Sequence, residues 1–245
     1  MAEQVSAYDQ MSAVTISREY GSGGGEIAAR LATRLGWTLV DHQIVADVAR
    51  RVGMTQEEAR ARDERGAGLV SRVIDALLTA SPEGPVTPED LPISSNDLYH
   101  QAVRRVIEKS YNARHVVIVG RGAQAELQSC EDVLHIRVVA PLEMRIAYVS
   151  QREGLSESEA RNRIQSKEQG RVRYLQSHYH RRPQDPSLYD LTINTRGISL
   201  DDAVDLVFDA LQRKARRVGL PLAERGPSVD VERYVDRPVD LNPSP

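Results

Sequence analysis

Ala13-Val14-Thr15-Ile16-Ser17-Arg18-Glu19-Tyr20-Gly21-Ser22-Gly23-Gly24-Gly25-Glu26-Ile27-Ala28 is the stretch whose reading decides the fold. A β-rich apolar run breaks into four glycines within five residues, then resumes as a helical pattern with Ile27, Leu31 and Leu35 on one face. Strand, glycine loop, helix is the layout that gathers bare backbone N–H groups around an anion, with the positive end of a helix dipole behind them. Glycine serves there because the loop needs positive φ and because phosphate must approach main chain closely. The expected phosphate-binding residues are Gly21, Ser22, Gly23, Gly24, Gly25 and Glu26. A flexible glycine turn that merely opens a helix is the other reading that spacing alone leaves open.

The match to a Walker loop is incomplete. G-x-x-x-x-G-K-[ST] puts its first glycine at Arg18, its second at Gly23, its lysine at Gly24 and its hydroxyl at Gly25, and only Gly23 obeys. Both the lysine that reaches the transferred phosphate and the hydroxyl that holds magnesium are missing. A dinucleotide fingerprint fares no better, since Gly21-x-Gly23-x-x-Glu26 lacks its third glycine, although Asp41 follows 15 residues later.

Outward from the loop, the helix from Glu26 is expected to end near Leu35 with Gly36 behind it, and Trp37–Val40 to form a second short strand closed by Asp41. An acid there sits where open α/β sheets bind ligands, or else caps a helix over 43–51. Thr55-Gln56-Glu57-Glu58 opens a charge-mixed helix, 69–78 gives another, and Pro82, Pro85, Pro88 and Pro92 mark a long loop. Residues 53–100 thus read as an inserted, mobile helical section, with helical patterning resuming from Asn96 or Asp97 to about Tyr111. His115–Val119 is a nearly continuous apolar run, the mark of a strand buried on both faces of a parallel sheet. It stops at Gly120-Arg121-Gly122, where an arginine between glycines reads as an anion contact or as a surface turn. Val133–Val139 is the next strand, followed by Pro141 at a first helical position and a helix carrying Arg145. Ser156-Glu157-Ser158-Glu159 caps a long helix toward Tyr174, Leu191–Asn194 is a last strand, and Ser199 caps a final helix to about Val218. Residues 1–12 read as a loose leader and 219–245 as an extended or disordered tail. Five strands alternating with helices predict an α/β fold, a parallel sheet flanked by helices, with ligand at the carboxyl ends of the strands.

Composition excludes several classes. No apolar run approaches the ~20 residues of a membrane span, and the N-terminus carries no signal-peptide core. Cys130 stands alone in 245 residues, which suits a reducing cytoplasm. A net charge of −3 makes no general case for nucleic acid or membrane. The charge is uneven, however: residues 161–182 carry seven Lys/Arg against one acid, Glu168. That stretch is either a solvated basic helix face or a phosphate lid. His178 and His180 lack a second ligand pair, so a surface role is expected and no metal ligands are assigned.

Four stretches together resemble the nucleoside monophosphate kinases, specifically the cytidylate kinase-like family: Ile16–Ala28, Leu39-Val40-Asp41, Val119-Gly120-Arg121-Gly122, and Arg161–Tyr174 running on to Tyr189-Asp190-Leu191. They span roughly residues 13–215. Ser-Arg-Glu-Tyr-Gly-Ser-Gly-Gly is similar to a divergent branch that lacks the Walker lysine, although that branch has a basic residue where this chain has Gly25. The resemblance implies a three-layer P-loop-kinase-like core with a helical insert over about 53–100 that receives the monophosphate, and a lid over about 161–182. It implies ATP as donor with Mg²⁺, nucleotide substrates, and CMP or dCMP as acceptor; a homodimer is compatible with it. It places Asp41 and Arg121 at the acceptor, Arg145 near the donor base, and Arg171 and Arg173 where lid arginines approach the transferred group. Something must offset charge there without the lysine, and the candidates are Arg171, then Arg173, then Arg18, which would have to fold across the cradle or else brace Glu19 or Glu26. The acids that flank the Gly-Arg pair in ordinary cytidylate kinases are Val119 and Gly122 here, which leaves the acceptor base open. A nucleotide-binding regulator without transfer activity, and a kinase for another small acceptor, are the alternatives.

Overall fold

The computed structural model describes residues 8–41, 95–221 and Glu224. The helices expected over 43–51 and 69–78, the capping box at Thr55, the proline loop and nearly all of the 53–100 insert lie outside the described residues, as does most of the tail. Five strands, β1 (Ala13–Arg18), β2 (Thr38–Val40), β3 (Val116–Val119), β4 (Val133–Val139) and β5 (Leu191–Asn194), form one sheet in the order β2-β3-β1-β4-β5. All four pairings are parallel, with β1 at the centre between β3 and β4. The chain leaves β1 toward one edge and later returns through β3 to β4 on its other side. The carboxyl ends of β1, β3 and β4 therefore border the crevice where such sheets take ligands.

Alternation explains the layers. In β3, Val117 and Val119 join Val14, Ile16, Leu134, Ile136 and Val138 on one face, against helices α1 (Gly24–Leu35) and α6 (Leu200–Ala215). Val116 and Ile118 face the other way, onto Ala102, Val103, Val106 and Ile107 of α2 (Ser95–Asn112) and Ala123 at the start of the single-turn α3 (Ala123–Glu126). The continuous apolar run is thus buried on both sides. A smaller core joins α4 (Leu142–Glu153) to α5 (Glu157–Tyr179) through Ile146, Val149, Ala160 and Ile164.

Helix ends follow local chemistry, with small shifts. Gly36 closes α1 in the left-handed region at φ 66°. Ser156 and Glu159 form a reciprocal capping box, and the Ser199 hydroxyl accepts from the Asp202 N–H at 3.0 Å. Pro141 sits one residue before α4 rather than as its first residue. α5 runs five residues past Tyr174, to Tyr179, and α6 stops at Ala215. The end of the leader is a correction: Met11 is fully buried, and Tyr8 packs edge-on against Trp37 and Phe208. Its polar neighbours hid this, because Ser12 finds its partners across the fold, at Asp132 and Val116.

Candidate active site

The glycine loop joins β1 to α1 at the centre of the sheet. Gly21 and Gly23 take φ of 83° and 82°, which L side chains rarely adopt. Packing demands glycine as well: a Cβ on Gly23 would lie 2.6 Å from Leu200 Cδ2, and one on Gly21 would lie 2.9 Å from Val149 Cγ2. The first hydrogen bond of α1 runs from the Ile27 N–H to the Gly23 carbonyl, 3.0 Å. As the first helical residues, Gly24, Gly25 and Glu26 have backbone N–H groups with no carbonyl one turn back. With the helix dipole behind them, they can hold an anion.

Two side chains of the loop are engaged away from the cradle. The Ser22 hydroxyl is buried, 3.0 Å from the Glu19 carbonyl and 3.1 Å from the Val138 carbonyl, so it holds the loop to β4 instead of facing a ligand. The Glu26 carboxylate pairs with Arg152 and accepts from the Tyr148 hydroxyl at 2.6 Å, leaving only its main chain for the cradle. Gly25 is exposed and has nothing within 4 Å of a built Cβ.

Arg145, expected near the donor base, is instead consumed beneath the loop. It is 7% exposed. Its Nε donates to the Ala140 carbonyl at 2.9 Å, and its Nη1 lies 2.5 Å from Glu168 Oε1 and 3.4 Å from the Tyr20 carbonyl. Glu168 also accepts from the Tyr20 N–H at 3.2 Å. Glu19 completes the brace, 3.5 Å from Arg145 and 3.8 Å from Arg137. Arg137 is a buried strand arginine that the sequence reading passed over; a charge inside the apolar Val133–Val139 run was its signal.

The basic stretch over 161–182 is mostly one helix, α5, docked on the loop. Arg171 donates from Nη1 to the Arg18 carbonyl at 2.8 Å and lies 5.5 Å from the Tyr20 ring centre. Arg173, two residues further along the helix, is exposed. His178 stacks on His100 at 3.8 Å between ring centres, so it packs between helices instead of standing free on the surface.

Arg18, Arg121 and Arg171 do converge. Burial, then repulsion from Arg171 and Arg121, pushes the Arg18 guanidinium down to about 9, and the opposing pull of Asp41 is smaller. Burial likewise lowers Arg171, with Arg121 and Arg137 adding repulsion against Glu168 and Tyr20. Arg121 itself sits at φ 57° between Gly120 and Gly122, both at 75°. Three successive left-handed residues turn β3 sharply at the crevice, a costly conformation for the arginine. Gly122 is needed there because a Cβ would meet the Tyr179 ring at 2.5 Å.

Crowded cations beside a row of open N–H groups make a site for a polyanion. They do not make a metal cage. Among the described residues no three His, Cys, Asp or Glu side chains gather to hold an ion, and Gly25 offers no hydroxyl. The described residues thus offer no carboxylate, imidazole or thiolate set that fits a resident metal.

The central parallel sheet, its glycine loop and the arginines over it define a P-loop-kinase-like fold. The chain belongs to the cytidylate kinase-like family, whose sequence model matches residues 13–197. The cytidylate kinase of Methanopyrus kandleri is 28% identical over 214 residues, covering 86% of this chain and 95% of that one. A shorter stretch of 98 residues is 33% identical to part of the uronate isomerase of Corynebacterium glutamicum, covering 40% of this chain and 19% of that enzyme. Among solved structures, an uncharacterized protein from Eubacterium ventriosum superposes with a TM-score of 0.60 at 20% identity, over 82% of this chain and 98% of its own.

Proposed function

We propose that this chain transfers the γ-phosphate of ATP to a nucleoside monophosphate, with CMP and dCMP first among the acceptors. The observation that carries the reading is the convergence of Arg18, Arg121 and Arg171 on the crevice beside the N-terminus of α1. In the step, an acceptor phosphate oxygen bonds to the γ-phosphorus while the bond from that phosphorus to the β–γ bridging oxygen breaks. ADP leaves, and the acceptor becomes a diphosphate. A phosphate monoester with a second pKa near 6 is already largely dianionic at neutral pH, so it needs no general base. That suits a site where Glu19, Glu26 and Glu168 are each held by arginine. The reaction asks instead for positioning and charge neutralisation. In this reading the α1 N–H groups hold the donor, Arg171 and Arg18 offset charge on the transferred group, and Arg121 grips the acceptor phosphate with Asp41 beside it.

Gly24 and Gly25, standing where a Walker loop has its lysine and hydroxyl, favour a second reading: a nucleotide-binding protein without transfer. Purified protein incubated with Mg-ATP and a panel of nucleoside monophosphates separates the two. Diphosphate products, CDP or dCDP above the rest, are expected. ATP binding with no product from any acceptor would establish the second reading.

A further inference from the structure

The sequence leaves open whether Arg18 folds across the cradle or turns away to brace an acid, and the glycines around it decide this. A Cβ built on Gly24 falls 2.6 Å from Arg18 Cβ and 3.1 Å from Cγ, so the arginine stem fills the space a side chain at 24 would need. A Cβ built on Gly120 falls 1.9 Å from Arg18 Nη1 and 3.0 Å from Cζ, so the fork fills the space of a side chain at 120. The side chain therefore runs from the first residue of α1 to the end of β3, beside Arg121. The two acids nearest in the chain are taken, Glu19 by Arg145 and Arg137 and Glu26 by Arg152 and Tyr148, and the pull of Asp41 on Arg18 is smaller than the repulsion from Arg171 and Arg121.

We infer that Arg18 and Gly24 are a reciprocal exchange of the Walker pattern, in which the cation that serves the nucleotide phosphates is carried by position 18 and position 24 must be glycine to admit it. The inference rests on the phosphoryl-transfer reading for its consequence in turnover, but not for its consequence in binding. It accounts for two departures at once: the glycine missing at 18 and the lysine missing at 24 are one substitution seen from two ends. Gly120 belongs to the same device, since the fork lies where its side chain would be. Burial and the neighbouring guanidiniums hold Arg18 in an unfavourable state that a bound phosphate relieves.

The test is a double-mutant cycle on the full chain: wild type, Arg18→Gly, Gly24→Lys and the double variant, which restores G-x-x-x-x-G-K. ATP affinity is read by calorimetry, turnover with the best acceptor by product formation, and folding by circular dichroism and thermal melting. Arg18→Gly should weaken ATP binding roughly tenfold or more and lower turnover by about 10²–10³-fold. Gly24→Lys should be at least as impaired, because its stem meets Arg18. The double variant should recover at least about tenfold over either single variant. Should Arg18→Gly misfold, Arg18→Gln keeps most of the stem without the charge and should show the same loss. It should also raise the melting temperature of the nucleotide-free protein, whereas loss of a structural brace would lower it. Arg18 variants within a few-fold of wild type in ATP affinity, or a folded double variant no better than the singles, would overturn the exchange. If wild type binds ATP but yields no diphosphate, the transfer reading alone fails and the affinities still decide Arg18. If it binds no ATP, both fall.

Discussion

On the α4 side of the glycine loop, guanidiniums meet acids: Arg145 lies 2.5 Å from Glu168 and 3.5 Å from Glu19, and Arg152 pairs with Glu26. On the β3 side, Arg18 meets repulsion from Arg171 and Arg121 that outweighs the pull of Asp41, and Arg171 is lowered chiefly by burial, with Glu168 and Tyr20 opposing and Arg121 adding to the effect. Both sets are arginines within reach of one loop, yet they do opposite things to the folded chain. Paired charges hold the loop in shape. Crowded like charges disfavour the charged forms of Arg18 and Arg171, a cost that a phosphate would relieve in the proposed function.

The largest effect should come from breaking the crowded side. Arg171→Ala should lower turnover by about 10³-fold or more, with Arg171→Lys recovering only part because it keeps the charge and loses the fork. Arg173→Ala, changed two residues along the same helix, should stay within a few-fold of wild type. Steady-state rates of the three variants would collapse the distinction if Arg173→Ala proved as impaired as Arg171→Ala. Breaking the paired side should show in stability first. Arg145→Ala takes from Glu168 its ion pair and leaves Glu19 only the longer one to Arg137, and it should cost on the order of 3 kcal/mol in chemical denaturation. An unchanged denaturation midpoint would mean that Arg145 is no brace. The smallest effect sharpens the crowded side by dividing it between donor and acceptor. Arg121→Ala should raise the acceptor KM by an amount equivalent to roughly 1.5–3 kcal/mol, with ATP affinity nearly intact. Equal loss of both affinities would move Arg121 to the donor.

Much of the scaffold was written locally. The sheet could be read because β3 is apolar at every position, which only a strand covered on both faces tolerates. The loop was visible because four glycines in five residues have few other uses, and the caps at Ser156 and Ser199 because a hydroxyl three residues before an acid satisfies helix ends wherever it occurs. What local pattern could not rank was the arginines. Arg171 and Arg173 are equivalent in composition, yet positions two apart on a helix point to opposite sides, and the phase of α5 on the loop comes from Ile164 and Ala160 packing against α4. Arg145 looked like a ligand contact because the acids that consume it lie 126 and 23 residues away in the chain. The side-chain partners of Ser22 and Glu26 were hidden for the same reason, being Val138 on β4 and Arg152 on α4.

By itself, then, the sequence determined what depends on neighbours along the chain: the strands, the helix caps and the glycine turn that opens α1. Only the tertiary structure decided which arginine faces the crevice and which is spent inside the protein. Charge pairing is set by distance in space, and a guanidinium is indifferent to how many residues separate it from the acid it meets. The space beside Gly24 shows this most directly. Position 18 and position 24 compete for one volume that no spacing rule records, and the folded chain gives it to Arg18.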